Sequence, residues 1–354
     1  MKQKLLFINI VPLGYLTDLV KWCEYLKNNF DITLICFEPD NGQYTSIDGI
    51  KVKYVSYKGN KSIRGVRYIL YCLWNILFFK GHIFIEYFEH CHIFKIIFPL
   101  KKMILDIRTL STALDTETRK RQNINMVNSI KKFDKVCIIS LKLLEKLNLK
   151  IKPNIFELPL GADVNELKQR DNKKLNLLYV GGLFGRDIEK TIYGISIFLK
   201  KYPNVNLQYT IIGKERHNEI IQLKEIAKSL KIESYINFIP GLPHSELKSY
   251  FQECNIGISF VPITEYFNLQ PPTKTFEYVL SGMICLATNT TANKEIIQNS
   301  NGVLHDDNPE DFAKGLEYVY NNINNYNSET IQASLLDYSW SNIVKNTLIP
   351  ILEN

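Results

Sequence analysis

Three short segments place glycine, cations and one carboxylate at spacings suited to a phosphorylated, hydroxyl-rich ligand. The first is Gly181-Gly182-Leu183-Phe184-Gly185-Arg186, which follows an apolar run at 175–180 and precedes a helical pattern at 187–201. Glycines let a backbone approach a phosphate closely, and the amides and dipole at a helix start attract negative charge. A second turn of this kind, Ile211-Ile212-Gly213-Lys214, ends the next apolar run. Two neighbouring strand ends with glycine and a cation suit a diphosphate lying across them. The third segment, Pro271-Pro272-Thr273-Lys274-Thr275-Phe276-Glu277, closes an extended stretch and opens a helix. Lys274 and Glu277 are three apart and share a helix face, so Lys274 would neutralise a phosphate while Glu277 accepts hydrogen bonds from paired hydroxyls such as those of a ribose. The competing reading is a capping box, with Thr273 or a neighbour at the cap, Glu277 folded back on the helix start and Lys274 solvated.

Other polar residues are weaker candidates. Asp106 and Arg108 are two apart in Met103-Ile-Leu-Asp106-Ile-Arg108, and on a strand both lean to one face. Glu86 and Glu89 stand at the end of a strand-like run. His90-Cys91-His92 has metal-ligand residue types, but neighbours on a strand point to opposite faces, so it reads as ordinary sequence.

These residues need a frame, and the apolar periodicity supplies one. Strand-like runs at 4–10, 32–37, 52–56, 82–88, 102–107, 135–139 and 155–158 alternate with helical patterns near 16–29, 63–79, 90–98, 115–131 and 141–147. Such alternation predicts a parallel sheet with helices on both faces. Residues 161–174 are polar and without apolar period, which marks a domain boundary. A second series follows, with strands at 175–180, 207–212, 235–238, 255–260, 284–287 and 303–304. Helices at 187–201, 218–230, 244–252, 273–281, 292–298 and 308–322 separate them. The tail from Tyr338 to Leu352 reads as a helix returning to the first domain. Two doubly wound domains in tandem predict a ligand cleft, because such sheets bind at the carboxyl ends of their strands.

With 354 residues, 45% of them hydrophobic and 22% charged, the chain can bury two cores, and disorder, collagen and coiled coil are excluded. Its net charge of +7 is unevenly spread. Residues 51–150 hold 20 lysines and arginines against 7 carboxylates, whereas residues 251–354 hold 4 against 12. The basic block expects an anionic partner, a membrane surface or a phosphate-bearing substrate. Nucleic acid is not expected, since no recognition motif accompanies the charge. The seven scattered cysteines, without any Cys-x-x-Cys pair, read as reduced core residues of a cytoplasmic protein with no zinc site. The opening Met-Lys-Gln-Lys runs straight into a strand and reads as no signal peptide. The apolar run 68–79 is too short to span a bilayer; with Lys58, Lys61, Arg64, Arg67 and Lys80 around it, it reads either as a helix packed on the sheet or as one lying at an anionic membrane surface.

Seven pieces in order resemble family 4 of the glycosyltransferases. They are Tyr179-Val-Gly-Gly-Leu183, Arg186-Asp-Ile-Glu-Lys-Thr-Ile, Tyr202-Pro-Asn-Val-Asn-Leu, Ile211-Ile-Gly213, Ile239-Pro-Gly241-Leu-Pro-His-Ser-Glu-Leu, Pro272-Thr-Lys-Thr-Phe-Glu-Tyr-Val-Leu-Ser-Gly282 with the following strand to Thr288, and Asn301-Gly302-Val. The resemblance covers about residues 175–325. It implies a GT-B fold, two Rossmann-like domains facing a cleft: an acceptor-binding domain at 1–165, a nucleotide-sugar-binding domain at 166–335, and a helix at 336–354 packed back on the first. It also implies retaining, metal-independent sugar transfer from a nucleotide donor, UDP- or GDP-linked, without any other cofactor. By that resemblance Arg186 and Lys274 carry the chemistry, and Gly181, Gly182, Gly213, Lys214, Thr273 and Glu277 hold the donor. Gly14, Asp106 and Arg108 belong to the acceptor side.

Two positions depart from the family pattern. Gly182 stands where the family has an arginine on the donor diphosphate. Leu269 stands where the first glutamate of its Glu-x7-Glu motif binds the donor sugar, so Glu265, Asn268 and Gln270 are the candidate substitutes. Relatives with a Pro-x-Lys-x-x-Glu-Tyr pattern share the departure at Leu269, and the chain resembles them. The expected acceptor is a glycan, linked to a polyprenyl diphosphate, in surface polysaccharide synthesis. A non-catalytic nucleotide-sugar-binding scaffold and a nucleotide-sugar epimerase on the same fold are the alternatives.

Overall fold

The computed structural model describes residues 2–353 apart from Asn41, Thr112, Leu114 and Tyr266. The chain divides into two compact units, Met1–Pro159 with Trp340–Asn354, and Leu160–Ser339.

The first unit is built from β1 (Gln3–Ile8), α1 (Thr17–Leu26), β2 (Phe30–Phe37), β3 (Ile50–Val55), α2 (Lys61–Phe78), β4 (His82–Glu86), α3 (Ile93–Ile97), β5 (Met103–Ile107), α4 (Thr116–Ile130), β6 (Lys135–Ile138), α5 (Lys142–Lys146) and β7 (Ile155–Glu157). Its seven strands are parallel, in the order β3-β2-β1-β4-β5-β6-β7. Runs such as Leu5-Leu6-Phe7-Ile8 and Ile83-Phe84-Ile85 are buried from end to end. A strand covered by helices on both faces needs such a continuous apolar run rather than alternation. The tail, Trp340–Ile343, a π-helical turn Val344–Leu348 and Ile349–Glu353, belongs to this unit, where the Lys135 ammonium donates to the Ile351 carbonyl oxygen at 2.7 Å.

The second unit contains β8 (Leu175–Gly182), α6 (Glu189–Lys201), β9 (Leu207–Lys214), α7 (Glu219–Ser229), β10 (Ile236–Pro240), α8 (Lys248–Glu253), β11 (Ile256–Ser259), α9 (Thr273–Leu280), β12 (Ile284–Thr288), α10 (Asn293–Ile296), β13 (Gly302–His305), α11 (Pro309–Asn322) and α12 (Ser328–Ala333). The strands are again parallel, in the order β10-β9-β8-β11-β12-β13. In both sheets the order reverses beside the first strand of the unit, β1 or β8, and this is where open α/β sheets bind ligands.

The polar stretch 161–174 has no regular structure, but it is part of the second unit. The Arg170 guanidinium donates to the carbonyl oxygens of Phe251 (2.8 Å), Ser281 (2.5 Å) and Gly282 (2.7 Å). That anchoring ties the stretch to the second unit, which runs from Leu160 to Ser339. Helix α12 has no counterpart in the sequence pattern, its six residues being too few for a helical period to register. All seven cysteines are buried and unpaired.

Candidate functional site

The switch point of the second sheet brings the end of β8 together with the first turn of α9. Tyr179 and Gly181 are two apart on β8 and share a face. Tyr179 is fully buried, and its hydroxyl donates to the Gly182 carbonyl oxygen at 2.7 Å. The Val180 amide donates to the Tyr278 hydroxyl at 2.9 Å, which fixes the strand end against α9. Gly181 has φ +150°, a backbone region that side chains rarely adopt, and a Cβ there would lie 3.1 Å from the Lys274 Nζ. Backbone conformation and close approach both demand glycine at this position.

Lys274 lies against the face of Tyr179, its ammonium 3.7 Å from the ring centroid. Among the described residues that ammonium has no hydrogen-bond or ion-pair partner; the ring face is its one close attraction. Desolvation, and then the positive charge of Arg186, push its pKa well below the ordinary lysine value, while Glu277 opposes the shift. The Arg186 guanidinium stacks 4.1 Å from the Phe267 ring centroid. Two cations are thus held close to a glycine strand end by aromatic faces, and among the described residues neither makes an ion pair.

Glu277 projects from the same turn of α9 into a cavity of about 270 Å³, lined also by Asp163, Asn165, His244, Lys248 and Phe251. Its Oε1 lies 3.2 Å from the His244 Nε2. The capping-box reading is overturned: Pro272 occupies the cap, no side chain caps the helix, and Thr273 is its first residue. Proline extends the chain into the helix start and leaves Glu277 available to the cavity.

The remaining donor-side candidates differ in exposure. Gly182 is exposed, with open space where a side chain would project. Gly213 is buried, and a Cβ there would collide with the Leu183 side chain, so its glycine is explained by the packing of the 181–186 loop. Lys214 is exposed, and its stem passes over Gly241. At Asn268 the side-chain carbonyl accepts from the Thr291 amide at 2.9 Å, which commits it to the loop.

In the first unit two acceptor-side candidates are buried. Asp106 is wholly buried, the Arg108 side chain is 9% exposed, and Arg108 is engaged by the protein's own groups. Arg108 Nε donates to Asp18 Oδ2 at 2.8 Å and its Nη1 to the Leu158 carbonyl oxygen at 2.6 Å, with Asp106 Oδ1 3.7 Å away and the Trp22 ring centroid at 5.0 Å. Asp106 is buried because β5 lies inside the sheet between β4 and β6 with both faces covered, and Arg108, just beyond the strand end, is held by Asp18 and the Leu158 carbonyl. Burial pushes the Asp106 carboxyl up to about 7, against the pull of Arg108, with Asp18 adding to the rise. Glu86, half-buried beside this group, accepts from the Asn9 side-chain amide and is raised well above the carboxylate range by burial, Asp18 and Asp106. Gly14 is exposed, with φ +98° and the Thr45 side chain where a Cβ would stand.

Tyr179, His244, Asp18 and Glu86 complete these clusters. Tyr179 was readable from the strand period, since it faces the same side as Gly181. His244 carried only a weak signal, three residues after Gly241, and nothing local marks Asp18 as the partner of a residue ninety positions away.

Comparison with known proteins finds likeness to glycosyltransferases over part of the sequence and in the fold. Residues 168–322 match the family model "Glycosyl transferases group 1". An uncharacterized glycosyltransferase of Haemophilus influenzae is 29% identical over 187 residues, which is 51% of this chain and 49% of that protein, so the match spans about half the length of the curated relative. Among solved structures, Anabaena HepE in complex with UDP superposes with a TM-score of 0.77 at 11% identity, over the whole of both chains. A glycosyltransferase from Rickettsia africae gives 0.72 at 14% identity, covering 99% of this chain and 98% of that one. The lipopolysaccharide outer core galactosyltransferase WaaB gives 0.72 at 14%, covering 98% and 99%. At these identities the structural likeness establishes the fold, which is GT-B.

Proposed function

We propose that this chain is a retaining glycosyltransferase that moves a sugar from a nucleoside diphosphate sugar to a glycan acceptor without a metal ion. The observation that carries the reading is the Lys274 ammonium, unpaired among the described residues and facing Gly181 at the switch point of the second sheet. A cation left without a counter-charge in partly desolvated surroundings is unfavourable by itself. A diphosphate across the ends of β8 and β9 would supply the missing charge, with Arg186 and Lys214 as further cations and the glycine backbone allowing close approach. Glu277, at the edge of the cavity, would exchange its His244 contact for the hydroxyls of a ribose.

Loss of the diphosphate builds negative charge on the leaving oxygen as oxocarbenium character develops at the anomeric carbon. Lys274 and Arg186 are fixed in advance where that charge grows, and electrostatic stabilisation of this kind is the protein's main contribution. In the retaining scheme implied by the family resemblance, the leaving phosphate takes the proton of the acceptor hydroxyl on the same face. Glu277 is then a binding residue. The match to the group 1 glycosyl transferase model and the likeness to UDP-bound HepE support a nucleotide donor, UDP- or GDP-linked. The acceptor we infer is a lipid-linked glycan at the cytoplasmic face of a membrane, a reading supported by the basic block in the first unit. In the described residues no helix is long and apolar enough to cross a membrane.

The test is calorimetric titration with UDP and GDP in the presence of EDTA. One nucleoside diphosphate should bind under chelation, and Glu277→Ala should weaken it by about tenfold, the scale of one or two hydrogen bonds. Absence of binding by either nucleotide would overturn the reading.

A further inference from the structure

Helix α2 is apolar on two opposite faces. Its inward stripe is Tyr68, Cys72 and Ile76, fully buried at a spacing of four. At about 100° per residue the opposite side carries Ile63, Val66, Leu70, Trp74, Leu77 and Phe78, all exposed, Trp74 by 65%. A helix apolar on all sides is ordinarily buried in a core or in lipid. A second element extends the patch. Ile96, Ile97 and Leu100 are also exposed, Leu100 by 97%. Lys101 donates to the carbonyl oxygens of Ile76 (2.6 Å), Leu77 (3.1 Å) and Phe79 (2.6 Å), which caps the end of α2 and fixes the turn bearing Leu100 against it.

The charge around this face has one sign. Residues 57–80 contain Lys58, Lys61, Arg64, Arg67 and Lys80 and no carboxylate, and Lys101 and Lys102 adjoin Leu100. Lys58, Lys61, Lys80 and Lys102 are exposed. We propose that this composite face docks on an anionic lipid bilayer, with α2 in the plane of the interface, Trp74, Phe78 and Leu100 inserted, and the lysines at the headgroups. Apolar side chains within a cationic rim complement acyl chains beneath negative headgroups. A second copy of the chain on this face would bring two cationic rims together, which is repulsive. The proposal deepens the reading of a membrane-borne acceptor and rests on that reading for its purpose, while its geometry rests on the first unit alone.

Of the three tryptophans, Trp22 and Trp340 are each 1% exposed, so a change of emission on binding reports Trp74. The full chain should co-float with phosphatidylglycerol-containing vesicles and not with pure phosphatidylcholine, with a blue shift of emission that salt weakens. Trp74→Ser combined with Phe78→Ser should lower the partition coefficient by at least about tenfold, the scale expected for losing two large inserted side chains. Leu100→Ser, at an almost fully exposed site on another segment, should lower it several-fold and keeps the test open if the double variant folds poorly. No binding to anionic vesicles, or binding unchanged in these variants, overturns the proposal. So does an absence of vesicle binding together with a dimer that the variants dissociate in sedimentation, which would assign the face to a second copy. Nucleotide titration on the same variants reads the second unit separately: vesicle binding without any nucleotide binding would overturn the transferase reading and leave the docking face standing.

Discussion

Each unit places a cluster of charge near the carboxyl ends of a parallel sheet, and the two clusters are in opposite electrostatic states. In the first unit the Arg108 guanidinium is buried among Asp18, Asp106 and Glu86, with Asp18 and the Leu158 carbonyl as direct partners. In the second unit Lys274 and Arg186 rest on the faces of Tyr179 and Phe267. Glu277 is the carboxylate that acts on Lys274, yet it makes no ion pair with it and points to a cavity. In the closed cluster the guanidinium charge is met by Asp18 at 2.8 Å and Asp106 at 3.7 Å, while the Asp106 oxygens and Arg108 Nη2 are buried without a hydrogen-bond partner among the described residues. The open one leaves positive charge uncompensated, and a ligand can supply the difference.

That contrast breaks most visibly at Arg108. Replacing it with methionine strands carboxylates in a buried site, so Arg108→Met should destabilise the fold by about 3–5 kcal/mol. A chemical denaturation midpoint unchanged from wild type would mean that the cluster is not closed. The matching substitution in the open cluster should act on turnover instead. Lys274→Met should lower sugar transfer by roughly 10²–10³, the loss typical of one group stabilising developing charge, while leaving stability equal or raised by on the order of 1 kcal/mol. A fall in stability with activity retained would reverse the assignment of the two clusters.

The smallest effect sharpens the comparison through pH. Asp106 is raised from 3.8 to about 7, so between these values the folded state keeps a proton that the unfolded state has lost. Stability therefore falls as pH rises through this window, by at most ~1.4 kcal/mol per unit for one group, and levels off above about 7. Glu86 shifts in the same direction and adds to the slope. Asp106→Asn should flatten the dependence of the melting temperature on pH over this range. An unaltered slope would place the titration on another group.

Much of this frame was readable in advance where the signal is local. Runs such as Leu175–Val180 and Leu207–Ile212 read as buried strands, because they are short, mostly apolar and rich in aliphatic and aromatic residues, and glycine follows each. The segment Pro272–Glu277 likewise announced its helix start. Other features had no local signal. The attachment of the 161–174 stretch to the second unit depends on Arg170 reaching carbonyls more than eighty residues away. The burial of Asp106 followed from the interior place of β5 in the sheet, and that of Arg108 from its distant partners Asp18 and Leu158, which a two-residue spacing cannot reveal.

The sequence by itself determined the parallel α/β elements, the glycine turn before Arg186 and the shared helix face of Lys274 and Glu277, since period and backbone permissiveness act over a few residues. Tertiary structure alone decided which cations are neutralised. Coulomb energy depends on distances between residues far apart in the chain, and on how much water each fold position leaves around them.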